Sequence, residues 1–184
     1  MSATTLRDTL VATGVDILDT DGLAALTLRE ITRRAGVSHG APRRYFPTHN
    51  SLLAAIASQG LRDLGARLAP ILDAPTPARH RLISAAIEYV AFAQERPAMF
   101  ELMFRHDLLE GAGANLRATS LPLFEALRTL AEADQASDPN ATALKIWTGT
   151  HGIAVLAANG SLSLVTPDLV IEELVRSTVV AHLP

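Results

Sequence analysis

The chain has 184 residues, 48% of them hydrophobic, and a formal net charge of −3. That is enough apolar material for a substantial core in one or two small domains. Without cysteine it has no disulfide framework, thiol nucleophile or thiolate metal site, and no apolar run reaches the roughly 18 residues of a membrane span.

The start, MSATTLRDTL, lacks the apolar stretch of a secretion signal, so the chain is expected in the cytoplasm with no membrane partner. Residues 4–20 place Leu6, Leu10, Val11, Val15, Ile17 and Leu18 at three- and four-residue steps, which predicts an amphipathic helix closed by Asp21-Gly22. From Thr27 the pattern tightens. Leu28, Ile31 and Ala35 share one helical face, and Thr27 with Glu30 three residues on has the form of a capping box. Gly36 stands where a helix stops in the left-handed conformation, Val37 turns inward, and Ser38 is placed to cap a second short helix ending at Phe46. Helix, glycine turn and capped helix in this order predict a helix-turn-helix. Pro42 fits only the first turn of that second helix, so the helix is expected to be distorted or to begin late.

Charge singles out the same stretch. Between Thr27 and Phe46, Arg29, Arg33, Arg34, Arg43 and Arg44 face one acid, Glu30; five minus one gives +4 in a chain of net −3. A concentrated basic face on an acidic protein suits the phosphates of a nucleic acid.

A long helix then runs from Asn50 to about Leu72, carrying Leu52, Leu53, Ile56, Leu61, Leu64 and Leu68 on its inner side and weakened by Gly60 and Gly65. Asp73 to Pro77 breaks it. Residues 78–96 form a further helix through Leu82, Ile83, Ala86, Ile87, Val90 and Ala93. In the run Arg96 to Phe104, Met99, Phe100, Met103 and Phe104 lie on adjoining faces; such side chains suit an adaptable apolar pocket and equally an ordinary core. Gly111 to Asn115 reads as a loop, and helices follow at Leu116–Ala133 and, after Asp138-Pro139, at Ala141–Asn159. Trp147 and His151, four apart, stack on one face of the latter and present a ring and a switchable hydrogen-bonding group, either to a ligand or to the interior. An apolar helix over Pro167–Leu183 ends the chain.

On the residues Thr27, Ile31-Thr32, Ala35-Gly36-Val37-Ser38, Gly40, Tyr45-Phe46 and Leu52, the first 55 or so positions resemble the TetR family of one-component transcriptional regulators. Trp147, His151 and Gly152, with the RPAMFELMF run, resemble the C-terminal domain of a TetR subgroup named after its Trp-His-Gly residues. The resemblance implies an all-α fold of about nine helices, with a helix-turn-helix DNA-binding domain over residues 1–48 and a helical ligand-binding and dimerisation domain over 49–184. It implies a homodimer paired through its last two helices, a double-stranded DNA operator, and a small, largely apolar effector. Thr27, Arg29, Ser38, His39, Gly40, Ala41, Arg43, Arg44, Tyr45, Thr48 and His49 are then the residues expected at DNA, with Thr4, Thr5 and Arg7 near its backbone. Met99, Phe100, Met103, Phe104, Trp147 and His151 are those expected around the effector. Arg43 stands where most relatives carry tyrosine and His49 where they carry lysine, which leaves base preference open.

An enzyme is the weaker reading. The sequence has no serine–histidine–acid set at a recognisable spacing, no phosphate loop and no paired-histidine metal motif. No catalytic residue, metal site or cofactor is therefore expected. A helical module that turns its basic face to another protein is the third reading, and salt-sensitive binding to a duplex separates it from the first.

Overall fold

The computed structural model describes residues 5–111 and 115–184; Thr4 and residues 112–114 of the predicted loop lie outside that range. Among the described residues there are helices and no strand: α1 (Leu6–Asp21), α2 (Leu28–Arg34), α3 (His49–Leu72), α4 (Ala78–Glu95), α5 (Pro97–Met103), α6 (His106–Leu109), α7 (Arg117–Ala133), α8 (Pro139–Ala158), α9 (Ser161–Val165) and α10 (Ile171–Val180). Two 3-10 turns, Leu23–Ala25 and Ala41–Arg44, interrupt the first part. The chain divides into two compact units, Met1–Arg62 with Ala98–Leu116, and Asp63–Pro97 with Arg117–Pro184.

In the first unit, α1 opens with a reciprocal cap: the Asp8 N–H donates to the Thr5 hydroxyl at 3.2 Å and the Thr5 N–H to the Asp8 carboxylate at 3.3 Å. Leu10, Ile17 and Leu18 of α1, Ile31 of α2 and Leu52 and Ile56 of α3 are buried, the face that their spacing predicts. At the end of α2, Gly36 takes φ +67°, the Val37 N–H reaches the Thr32 carbonyl at 3.1 Å and the Gly36 N–H the Arg33 carbonyl at 3.3 Å. These two bonds form a Schellman stop, and its left-handed residue is where a side chain is costly. Met99, Phe100, Leu102 and Met103 of α5 are buried as well. A methyl placed on Gly60 would lie 2.5 Å from the Met99 sulfur and 2.9 Å from that of Met103, so the missing side chain is what admits the two thioethers against α3.

In the second unit, α4 packs on α7, α8 and α10, and α8 on α7 and α10. Leu82, Val90, Phe92 and Ala93 of α4, Ile146 and Ala154 of α8, and Val175 and Val179 of α10 are buried between them. The Phe92 ring is flanked by two guanidinium groups, Arg67 at 5.3 Å and Arg96 at 5.6 Å from its centroid. Arg67 also reaches Glu88 at 3.3 Å and Glu95 at 2.5 Å, and Arg96 reaches Asp63 at 2.8 Å. These pairs fasten the end of α3 to α4.

The single helix expected over Pro167–Leu183 is shorter, and α9 precedes it. Pro167 supplies no N–H and crowds the residue before it, and Thr166 is extended at φ −142°, ψ 90°. The helix resumes only at Ile171.

Candidate nucleic-acid interface and ligand-facing residues

The helix expected over Ser38–Phe46 is reduced to the 3-10 turn Ala41–Arg44. In an α-helix starting at Ser38, the Pro42 ring would strike the Ser38 carbonyl four residues back. The chain instead closes three-residue bonds, Ala41 N–H to Ser38 O at 3.0 Å and Tyr45 N–H to Pro42 O at 2.9 Å, with Pro42 buried. Ser38 therefore serves through its carbonyl, and no side chain caps this turn. Val37, expected in the core, is only half-buried.

Tethering splits the arginines of this stretch into two sets. The capping box of α2 is half made: the Thr27 hydroxyl accepts from the Glu30 N–H at 3.2 Å, but the Glu30 carboxylate turns to arginines rather than back to the Thr27 N–H. Arg33 grips it with two parallel bonds of 2.8 and 2.6 Å, and Arg34 adds a third of 2.7 Å. Arg34 also bonds Asp21 at the end of α1. Bonding to Arg33, then Arg34, holds the Glu30 carboxyl down at about 2. Arg29, Arg43 and Arg44 are exposed and carry no salt bridge among the described residues; Arg44 lies 6.0 Å over the ring of Tyr45, itself exposed.

Thr27, Ser38, His39, Gly40 and Thr48 are exposed and Ala41 half-buried. The Thr48 hydroxyl caps α3 by accepting the Ser51 N–H at 3.0 Å, while Ser51 returns the bond to the Thr48 N–H at 3.1 Å. Thr5 is committed to its own cap, and Arg7 rests 5.5 Å over Phe46. His49 is half-buried, and its Nδ1 is buried without a hydrogen-bond partner. Burial depresses its affinity for a proton, against the pull of a bond to the Leu26 backbone. A depressed histidine binds protons more weakly folded than unfolded, so its contribution to stability is complete above the ordinary value of 6.5 and is lost as pH falls below it. A His49→Gln variant should accordingly lose less melting temperature than the parent between about pH 7 and about pH 5. Equal losses in the two proteins would contradict the assignment.

The residues expected around an effector fall in both units. In the first, Met99, Phe100 and Met103 are buried, Phe104 is half-buried, and the two phenylalanine rings lie 5.0 Å apart. In the second, Trp147 and His151 are half-buried with rings 5.9 Å apart, as their four-residue spacing predicts, and Phe124 of α7 meets Trp147 edge-on at 6.4 Å.

Tyr89 of α4 completes this second cluster and is not apparent in the sequence. Its hydroxyl is bonded to Trp147 and lies 2.9 Å from His151 Nδ1. The indole N–H is a donor only, so the phenol oxygen accepts from it. Burial raises the Tyr89 pKa and lowers that of His151, keeping both neutral. The only signal in the sequence is a polar-tipped ring on an otherwise apolar helix face; its partner lies 62 residues away. Among the described residues, no group of three or more histidine, aspartate or glutamate side chains is arranged to hold a metal ion, and no helix is long and apolar enough to cross a membrane.

Residues 10–56 match the model of the bacterial regulatory proteins of the tetR family, and residues 82–181 match that of the tetracyclin repressor-like C-terminal domain. A protein of unknown function from Rhodococcus sp. RHA1 has a similar structure with a TM-score of 0.81 and 30% identity, over 97% of this chain and 93% of that one. A transcriptional regulator from the same source superposes with a TM-score of 0.74 at 23% identity, covering 96% and 95%. BioQ, solved with its double-stranded DNA operator, gives 0.67 at 21% identity, covering 95% and 98%. No curated protein matches. The basic turn held between α2 and α3 and the helical unit that follows are thus the two parts of a transcriptional regulator with an N-terminal DNA-binding domain, and the chain belongs to the TetR family.

Proposed function

We propose that the chain is a cytoplasmic, homodimeric repressor that binds a palindromic operator with an affinity controlled by a small, largely apolar effector. In this reading residues 1–48 read DNA and residues 49–184 carry dimerisation and effector binding. The three untethered arginines support the first part. Arg43 and Arg44 stand on the turn where a helix-turn-helix presents its base-reading side chains, with His39, Gly40, Ala41 and Tyr45 beside them. Arg29, Thr27, Ser38, Thr48 and His49 are assigned to orienting contacts along the backbone.

The observation that carries the dimer is a set of apolar side chains left in water on the last two long helices. Leu144, Val155 and Leu156 of α8 and Val180 of α10 are between 41% and 46% exposed. A two-fold copy would cover them and supply the second reader that a palindrome requires. The effector is assigned to the side of Trp147 and His151, which are half-buried and retain surface to offer it; Met99, Phe100, Met103 and Phe104 of the first unit are assigned to effector binding on their apolar pattern alone. Its effect on DNA affinity is bounded by how strongly it distinguishes the two states of the protein.

The test is hydrodynamic. The parent protein should sediment as a dimer and retain, from sheared DNA of its own genome, a fragment with an inverted repeat. The double variant Val155→Glu, Leu156→Glu should sediment as a monomer and lose that fragment. A strictly monomeric parent that holds no fragment at low salt would overturn the reading.

A further inference from the structure

The arginine-rich stretch carries more positive charge than it offers to a partner, and Glu30 is the reason. Its carboxylate takes both donor arms of Arg33 and the Nε of Arg34. Asp21 holds the remaining fork of Arg34, whose third nitrogen lies 3.4 Å from the Thr20 hydroxyl. Two guanidinium groups therefore meet two carboxylates, and their local charge sums to zero. Arg29, Arg43 and Arg44 are the arginines of this stretch that remain without an ion pair among the described residues.

We propose that Glu30 is a specificity-determining residue of the DNA interface, which it serves by withholding Arg33 and Arg34 from phosphates. Sequence-independent affinity rises with every cation that displaces a counterion from the duplex, about 0.9 in the salt slope per phosphate neutralised. A guanidinium already neutralised by a carboxylate displaces none, and the carboxylate itself repels the phosphates. Glu30 thereby lowers binding to arbitrary DNA while Arg43 and Arg44 keep their access to base edges. The ratio between operator and bulk DNA rises accordingly.

The probe is a random-sequence duplex, titrated with the full-length protein by filter binding over about 50 to about 200 mM salt. In Glu30→Gln, Arg33 is freed while Asp21 keeps Arg34; the duplex binds more tightly, and the slope steepens by up to about 0.9, so that the gain over the parent shrinks roughly threefold across that range. Asp21→Asn likewise leaves one carboxylate for two guanidinium groups, and only the double variant Glu30→Gln, Asp21→Asn frees both arginines and should steepen the slope by up to about 1.8. The proposal is overturned if Glu30→Gln leaves the slope unchanged or weakens binding.

A second pair of variants needs no change at Glu30 and keeps the test open if Glu30→Gln does not fold. Arg33→Gln should leave the slope on the random duplex unchanged, whereas Arg43→Gln should lower it by about 0.9. Equal losses for the two would show that Arg33 already reaches phosphate. The inference rests on the DNA-binding reading. A parent that ignores the duplex at low salt sinks that reading, whereas a parent that binds with Glu30→Gln unchanged sinks only this inference.

Discussion

A Phe92→Ala variant should melt roughly 10 °C below the parent, because truncating a buried aromatic ring costs about 3–5 kcal/mol and each kcal/mol shifts the midpoint of a chain this size by about 2–4 °C. Phe92 is fully buried on α4, and Arg67 and Arg96 lie over its ring. The loss therefore has two parts. The first is the apolar area and the cavity left behind. The second is the platform on which both guanidinium groups rest, about 0.5–1 kcal/mol for each at an accessible site. Phe92→Leu retains most of the volume and removes only the platform, so it should fall between the two. A thermal melt followed by circular dichroism decides the matter. An alanine variant within a degree or two of the parent would mean that the helices around this ring close over the cavity without strain.

The second large effect is on DNA rather than on the fold. Replacing Arg43 and Arg44 together with alanine should weaken binding to a retained genomic fragment by on the order of a hundredfold or more, at about 1–3 kcal/mol per arginine at a base edge, and should flatten the salt dependence by up to about two. Both side chains are exposed, so the melting temperature should hardly move; substitutions of that kind stay within about 0.5 kcal/mol. Affinity that survives the double change would remove the turn Ala41–Arg44 from the interface. A collapse of the melt would instead assign the two arginines to the fold.

Much of this architecture could be read along the chain because helical periodicity is a local property. The buried faces of α1, α3 and α4 follow from the positions of Leu10, Ile17, Leu52, Ile56, Leu82 and Val90, and Gly36 marks the end of α2 at the predicted residue. The structure departs from the sequence pattern where two local rules compete. Glu30 has the spacing of a cap partner, but two arginines three and four residues on offer its carboxylate stronger, charge-assisted bonds than the Thr27 N–H does. Pro42 was legible as a disturbance, yet not as the cause of a single 3-10 turn. The shortfall near the C-terminus has the same origin, since apolar spacing continued through Pro167 while the backbone did not. Tyr89 is hidden from the sequence for another reason. Its meeting with His151 joins α4 to α8, and no pattern within either helix announces it.

The cluster of Tyr89, Trp147 and His151 has a practical consequence. Trp147 is the single tryptophan of the chain, so ultraviolet emission excited at the red edge arises from one indole, in contact with an imidazole and a phenol. Its colour reports how wet that indole is, and its brightness reports whether the neighbouring imidazole carries a proton. The protein is supplied with its own lamp at the place assigned to the effector, and compounds can be screened against it without attaching a dye.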